Sequence, residues 1–131
     1  MATHSEDDVF ALIGEEGFRK LIAAFYRQIP DDEILGPMYP AHDLSGAEAR
    51  LCDFLIFRFG GPPRYLESRG HPQLRLRHRP FPIDQRARDR WIFLMDRAFL
   101  EADLPDQAVA VLRPFFGQVA TFLINCPSSI G

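Results

Sequence analysis

Arg69-Gly70-His71-Pro72-Gln73-Leu74-Arg75-Leu76-Arg77-His78-Arg79-Pro80-Phe81-Pro82-Ile83 is the most distinctive stretch of this 131-residue chain. Its prolines lack the amide N–H a helix needs and clash with the preceding turn. The span from Tyr65 to Asp84 is therefore predicted to be loop with short helical turns. His71 and His78 would stack on one face of a continuous helix, but Pro72 breaks such a helix and leaves His71-Pro72 as a cap or turn. His78 differs, because Leu74, Leu76, Phe81 and Ile83 surround it in sequence and Arg77 and Arg79 flank it. Apolar surroundings keep an imidazole neutral, the state in which it ligates a metal. Guanidiniums hold carboxylates through paired, charge-assisted bonds. A histidine in a solvated basic loop is the other reading, and the residues alone leave both open.

Outward from this stretch the charge changes sign. Arg64, Arg69, Arg75, Arg77 and Arg79 face only Glu67, while the whole chain carries a net charge of −3. The basic segment must meet something anionic or pair with the acidic remainder. The overall balance argues against nucleic acid as a partner, since phosphate binding needs clustered positive charge. His4 is near the terminus and His42 lies in a turn-like run, and no Cys/His cluster supports a zinc site. Cys52 and Cys126 form no CxxC pair and are expected to be reduced thiols. The N-terminus lacks a basic start and apolar run, and no stretch reaches the roughly 18–20 apolar residues of a membrane span. A soluble, cytoplasmic protein without membrane partners is expected.

Helical periodicity surrounds the loop on both sides. Ser5 with Glu6, Asp7 and Asp8 reads as a helix start, continued by Val9, Phe10, Leu12 and Ile13 and ended by Gly14. A second helix is predicted from about Glu16 to Gln28, with Phe18, Leu21, Ile22, Phe25 and Tyr26 on one face, and Pro30 closes it. Asp31-Asp32-Glu33-Ile34-Leu35 fits one short helical turn. A third helix is expected from Ser45, with Glu48 completing a capping box, and stops at Gly60-Gly61-Pro62-Pro63. Ala47, Leu51, Phe54, Leu55 and Arg58 share its face. A fourth spans about Asp84–Glu101 with Trp91, Leu94, Met95, Ala98 and Phe99 inward. The last spans about Pro105–Asn125 with Val109, Leu112, Phe116, Val119, Ala120 and Leu123 inward. No segment sustains strand alternation, so the fold class is all-α. One domain, residues 1–131, is expected, with its core at about 9–126 and residues 1–7 flexible. Apolar residues make up 47% of the chain and Phe occurs 12 times, a composition that suits packing against a large apolar ring system.

Several short motifs, in order, bear a family likeness. Phe25-Tyr26, Met38-Tyr39-Pro40, Gly60-Gly61-Pro62, Arg69-Gly70-His71-Pro72, Leu74-Arg75, Arg77-His78, Pro80-Phe81 and Trp91 together resemble a group II truncated haemoglobin. The likeness runs from about residue 9 to 126, and the run from Arg69 to Ile83 is its most specific part. It implies a truncated globin-like two-over-two helical sandwich enclosing haem b, with His78 as the proximal iron ligand. It implies that Tyr26, Tyr39 and Trp91 are distal hydrogen-bond donors, with Phe25, Ala47 and Leu51 lining the pocket and Phe81 beside the cofactor. Arg77, Arg79 and Arg50 become candidates for the haem propionates. Ala47 stands where many globins place a distal histidine, which shifts that task to Tyr26 and Trp91 and leaves the pocket mouth open. The family's early Gly-Gly corner reads here as Gly14-Glu15-Glu16-Gly17, a departure.

The function implied is reversible binding of O2, or of NO, CO or a similar small ligand. A haem redox enzyme, an NO dioxygenase or a peroxidase-like protein served by a separate reductase, is the alternative. A haem-free helical interaction module is the third reading. Either a monomer or a homodimer is compatible with the sequence.

Overall fold

The computed structural model describes residues 9–39, 43–62 and 83–125, and they form four α-helices. These are α1 (Val9–Tyr26), α2 (Leu44–Arg58), α3 (Gln85–Ala102) and α4 (Asp106–Phe122), with a short 3-10 turn at Gly36–Met38. No strand occurs among the described residues, as the absence of alternation led us to expect. Ser5, Cys126 and the whole stretch from Arg69 to Pro82, with Arg77, His78, Arg79 and Phe81, lie outside the described residues.

The predicted break at Gly14 is present as a kink within α1, where Gly14 takes φ 65° and ψ −178°. That region is open in practice only to glycine, because a Cβ there collides with the flanking backbone. Gly17 completes the corner differently: a Cβ at Gly17 would lie 2.5 Å from the Ile13 Cβ. The sequence Gly14-Glu15-Glu16-Gly17 therefore makes its corner from one glycine that turns and one that permits close approach. The helix ends at Tyr26, two residues before the expected Gln28. The N–H groups of Gln28 and Ile29 reach back only three residues, to Phe25 and Tyr26, so the chain tightens ahead of Pro30.

The start of α2 departs from expectation. Ser45 lies inside the helix, and Asp43 holds the cap position without a side-chain cap bond. The Asp43 carboxylate is engaged instead with Arg50, at 3.1 Å. At α3 the cap is conventional, with the Asp84 carboxylate accepting from the Ala87 N–H at 2.8 Å. In α4, Pro114 sits on the exposed side within the helix. The predicted inward face of α4 misses Phe115 and Ala108, which are both buried, whereas Val109, Val119 and Ala120 are only half-buried.

Helix α1 packs on α3, on α2 and, less extensively, on α4, and α3 packs on α4. The result is two helix pairs, α1–α2 and α3–α4, stacked with α1 facing both members of the second pair, the two-over-two layout expected. Phe18, Leu21, Ile22 and Phe25 of α1 are fully buried, as their spacing requires. Aromatic rings run through this core without interruption. From Phe10 the contacts pass to Phe18, Phe59, Phe115, Phe116, Trp91, Phe25, Tyr26 and Tyr39, with centroids 4.8–6.5 Å apart. Among the described residues no helix is long and apolar enough to cross a membrane.

Candidate functional site

The polar end of that aromatic run is where three of the sequence candidates meet. Tyr26 comes from the last turn of α1, Tyr39 follows the 3-10 turn, and Trp91 comes from α3. The two tyrosine rings meet edge to face at 5.6 Å. Phe25, fully buried, touches both Tyr26 at 5.2 Å and Trp91 at 4.9 Å and so holds them apart by one ring. Ala47 and Leu51, half-buried on α2, pack against the same core.

The Tyr39 hydroxyl sits between the Trp91 indole and the Tyr26 hydroxyl, both near enough to bias its ionisation. The Tyr26 hydroxyl also reaches the Ala47 carbonyl oxygen of α2, at 3.3 Å. Indole N–H is a donor only, so a bond between the two runs from Trp91 to Tyr39. Burial pushes the Tyr39 hydroxyl above the usual phenol range, although its two partners pull the other way. Burial also pushes Tyr26 far upward, reinforced by the neighbouring Tyr39. Both phenols thus keep their protons at ordinary pH and act as donors.

Counting protons shows what this set can do. The one proton of Tyr26 goes to the Ala47 carbonyl at 3.3 Å, which leaves the Tyr26 oxygen open to accept from Tyr39. A chain running from Trp91 through Tyr39 and Tyr26 to that carbonyl is thus compatible with the donors each group has. A new acceptor beside Tyr39 could take that residue's proton at the loss of only one internal bond. The arrangement is a set of strong donors, in an apolar wall, suited to a small acceptor.

The remaining candidates divide. Arg50 is present on α2 and is paired with Asp43. His78, Arg77, Arg79 and Phe81 lie outside the described residues. An open groove of about 480 Å³ lined by Glu15, Glu16, Arg19, Lys20 and Ala23 is bordered by none of the triad.

Two polar residues next to the triad were not singled out in the sequence. Asp32 is buried and accepts from the N–H of Leu35 at 2.8 Å, the N–H of Ile34 at 3.1 Å and the Arg90 guanidinium at 2.5 Å. Burial alone would raise its carboxyl, yet these donors together hold it below the usual carboxylate range. Gln28 donates to the Leu94 carbonyl on α3 at 2.9 Å. A signal for Asp32 existed: it lies three residues after Ile29 and three before Leu35, at the interval of two buried apolar residues.

Known proteins share this fold. A family description, bacterial-like globin, matches residues 8–121. The group 2 truncated hemoglobin 3-1 of Lotus japonicus is 34% identical over 122 residues, which are 91% of this chain and 73% of the relative. The crystal structure of a hemoglobin from the thermophilic phototrophic bacterium Chloroflexus aurantiacus superposes with a TM-score of 0.85 at 40% identity, covering 89% of this chain and 97% of that one. A truncated oxygen-avid haemoglobin from Bacillus subtilis superposes equally well, at 0.85 and 33% identity, over 89% of this chain and 98% of its own. The chain accordingly belongs to the bacterial-like globins, among the group II truncated haemoglobins.

Proposed function

We propose that this globin binds haem b through His78 and holds a diatomic ligand by a hydrogen bond from Tyr39, which Trp91 and Tyr26 support. Haem-based binding of oxygen follows from membership of the globin family. The residue roles rest on one observation, the meeting of three polar aromatic side chains at the Tyr39 hydroxyl. The chemistry of this donor set fits haem, since its members are uncharged, give protons and line an apolar wall. When bound, haem supplies a ferrous iron able to take one small gaseous ligand.

The chain's own residues do the rest. Phe25 and Leu51 exclude water, which raises the worth of each remaining hydrogen bond. Tyr39 turns its proton from Tyr26 to the ligand. Trp91 keeps donating to the Tyr39 oxygen, which makes that hydroxyl a better donor by polarising it. Tyr26 stays with the Ala47 carbonyl and fixes the edge of the Tyr39 ring. Arg77 and Arg79 would meet the propionates. Arg50 would join them through the N–H groups that its bond to Asp43 leaves available.

Absorbance spectra of the ferric and ferrous protein test the cofactor, with an intense Soret band expected. His78→Ala is expected to lose that band or shift it to that of weakly held haem. An unchanged haem content and spectrum would remove His78 from its role.

The donor set also favours a second reading. A ligand held by Tyr39, with Trp91 strengthening that donor, escapes slowly, which suits consumption of the ligand by nitric oxide, with a separate reductase restoring the iron, better than its delivery. Stoichiometric nitrate from nitric oxide in a single turnover, sustained by added reductant, supports dioxygenation. A stable complex indifferent to nitric oxide supports simple binding. A cytoplasmic setting belongs to the same proposal.

A further inference from the structure

We infer that Asp32, gripping Arg90, is the positioning residue that sets Tyr39 against Trp91 and thereby tunes the donor strength of the distal site; this rests on the distal reading above. Two separate routes lead from this one buried carboxylate. Toward Tyr39, Asp32 caps the turn through the Ile34 and Leu35 N–H groups. Backbone bonds then continue the hold: Gly36 N–H donates to Asp32 O at 2.9 Å, Met38 N–H to Leu35 O at 2.9 Å and Tyr39 N–H to Gly36 O at 3.3 Å. Toward Trp91, the other carboxylate oxygen takes the Nε–H of Arg90, the residue immediately before the tryptophan. Gln28 bonds the Leu94 carbonyl three residues after it, so α3 is tied to the α1 end of the chain on both sides of the indole.

The geometry makes this more than general stabilisation. Tyr39 is on a short turn outside any α-helix, and without an anchor only the proximity of its side chain to Trp91 would relate it to α3. An indole-to-phenol bond weakens steeply as its angle departs from linear. Small shifts of the turn therefore change the donor before they unfold the protein. The side chain of Asp32 is only 1% exposed, while that of Arg90 is 37% exposed, so the carboxylate is the fixed member and Arg90 reaches in to it.

The substitutions can be chosen to cut one route at a time. Asp32→Asn keeps an oxygen for the Leu35 N–H but turns an NH2 group toward the Arg90 Nε–H, two donors face to face. The turn keeps its cap and loses its tie to α3. Arg90→Gln places an amide at the same distance along the side chain as the Arg90 Nε, so Asp32→Asn/Arg90→Gln restores a bond with its direction reversed. Should Asp32→Asn fail to fold, Arg90→Leu removes the same bond from the more exposed side.

The test uses the ferrous CO complex of the full chain, in which the sole tryptophan gives a single indole N–H resonance in a 1H–15N spectrum. In Asp32→Asn that resonance is expected to move and its N–H to exchange with solvent at least about 3-fold faster. The CO stretching frequency should rise, and the oxygen off-rate should increase about 3- to 10-fold, a partial loss of one hydrogen bond. The double variant should return all of these to near wild type. The inference is overturned if Asp32→Asn leaves the indole resonance and the CO stretch unmoved while Tyr39→Phe shifts both. It is also overturned if the double variant folds with no recovery. If Tyr39→Phe itself changes neither the CO stretch nor the off-rate, the distal reading fails, and the tuning role of Asp32 fails with it.

Discussion

At the scale of single residues, the chemistry concentrates in one hydroxyl. Tyr39 lies beside both Trp91 and Tyr26, while Tyr26 has a carbonyl of its own at Ala47. The two tyrosines should therefore not be equivalent on substitution. Tyr39→Phe is expected to raise the oxygen off-rate about 5- to 30-fold, the worth of roughly 1–2 kcal/mol of hydrogen bonding. Tyr26→Phe should change it by less than about threefold, because the Tyr39 proton then has one competitor fewer. Stopped-flow displacement of oxygen by CO measures both. Asp32 gives a pH signature. Its folded carboxyl lies below the ordinary value of 3.8, so its contribution to stability is complete above that value and disappears as pH falls through the folded one. Thermal melts should show Asp32→Asn less stable than wild type by about 1–3 kcal/mol at neutral pH. That gap should shrink progressively in acid. Tyr26 was legible in the sequence because its neighbours on α1 repeat at helical spacing. Tyr39 was legible only through family likeness, since a residue after Gly36-Pro37 carries no periodicity. Asp32 was hidden from a reading by charge among three adjacent acidic residues, and only its three-residue spacing to Ile29 and Leu35 marks which of them turns inward.

At the scale of elements, breaks were easier to read than faces. Gly14 announced a discontinuity, and the kink is there. Its partner role with Gly17 was not visible, because close approach to Ile13 depends on the angle between successive segments. Gly14→Ala should cost about 1–3 kcal/mol, since it forces a Cβ into a backbone region that side chains avoid. Chemical denaturation with an unchanged slope is the expected result, and a cost under about 0.5 kcal/mol would show that the corner relaxes. Helix α4 was the least legible. Phe115 and Phe116 are adjacent and both buried, because the helix presents neighbouring positions to different partners: Phe115 to Phe59 at 4.8 Å and Phe116 to Trp91 at 5.4 Å. A single inward stripe does not describe a helix packed from two sides. The expected cap at Ser45 failed for a related reason. Asp43 was available two residues earlier, and Arg50 binds it there.

At the scale of the whole molecule, the layout makes α1 the shared wall of two helix pairs. Both aromatic residues at its end, Phe25 and Tyr26, reach the site, so the stability of the core and the geometry of the site depend on the same helix. A bound cofactor adds to that stability by mass action. Extraction of haem should lower the unfolding free energy by about 2.7 kcal/mol at a cofactor level one hundred times its dissociation constant, and by more if binding is tighter. Differential scanning calorimetry of the holoprotein and the haem-free protein reads this directly. Identical melting temperatures would contradict a cofactor built into the core. The continuous file of rings from Phe10 to Tyr39 has an implication for how such a protein changes over generations. Close-packed interiors pass displacement onward rather than absorbing it. A bulkier or smaller side chain at Phe59, with five rings between it and Tyr39 along this file, is thus felt at the ligand. Descendants that adjust affinity are therefore expected to carry paired replacements along the file, and isolated changes should be rare survivors.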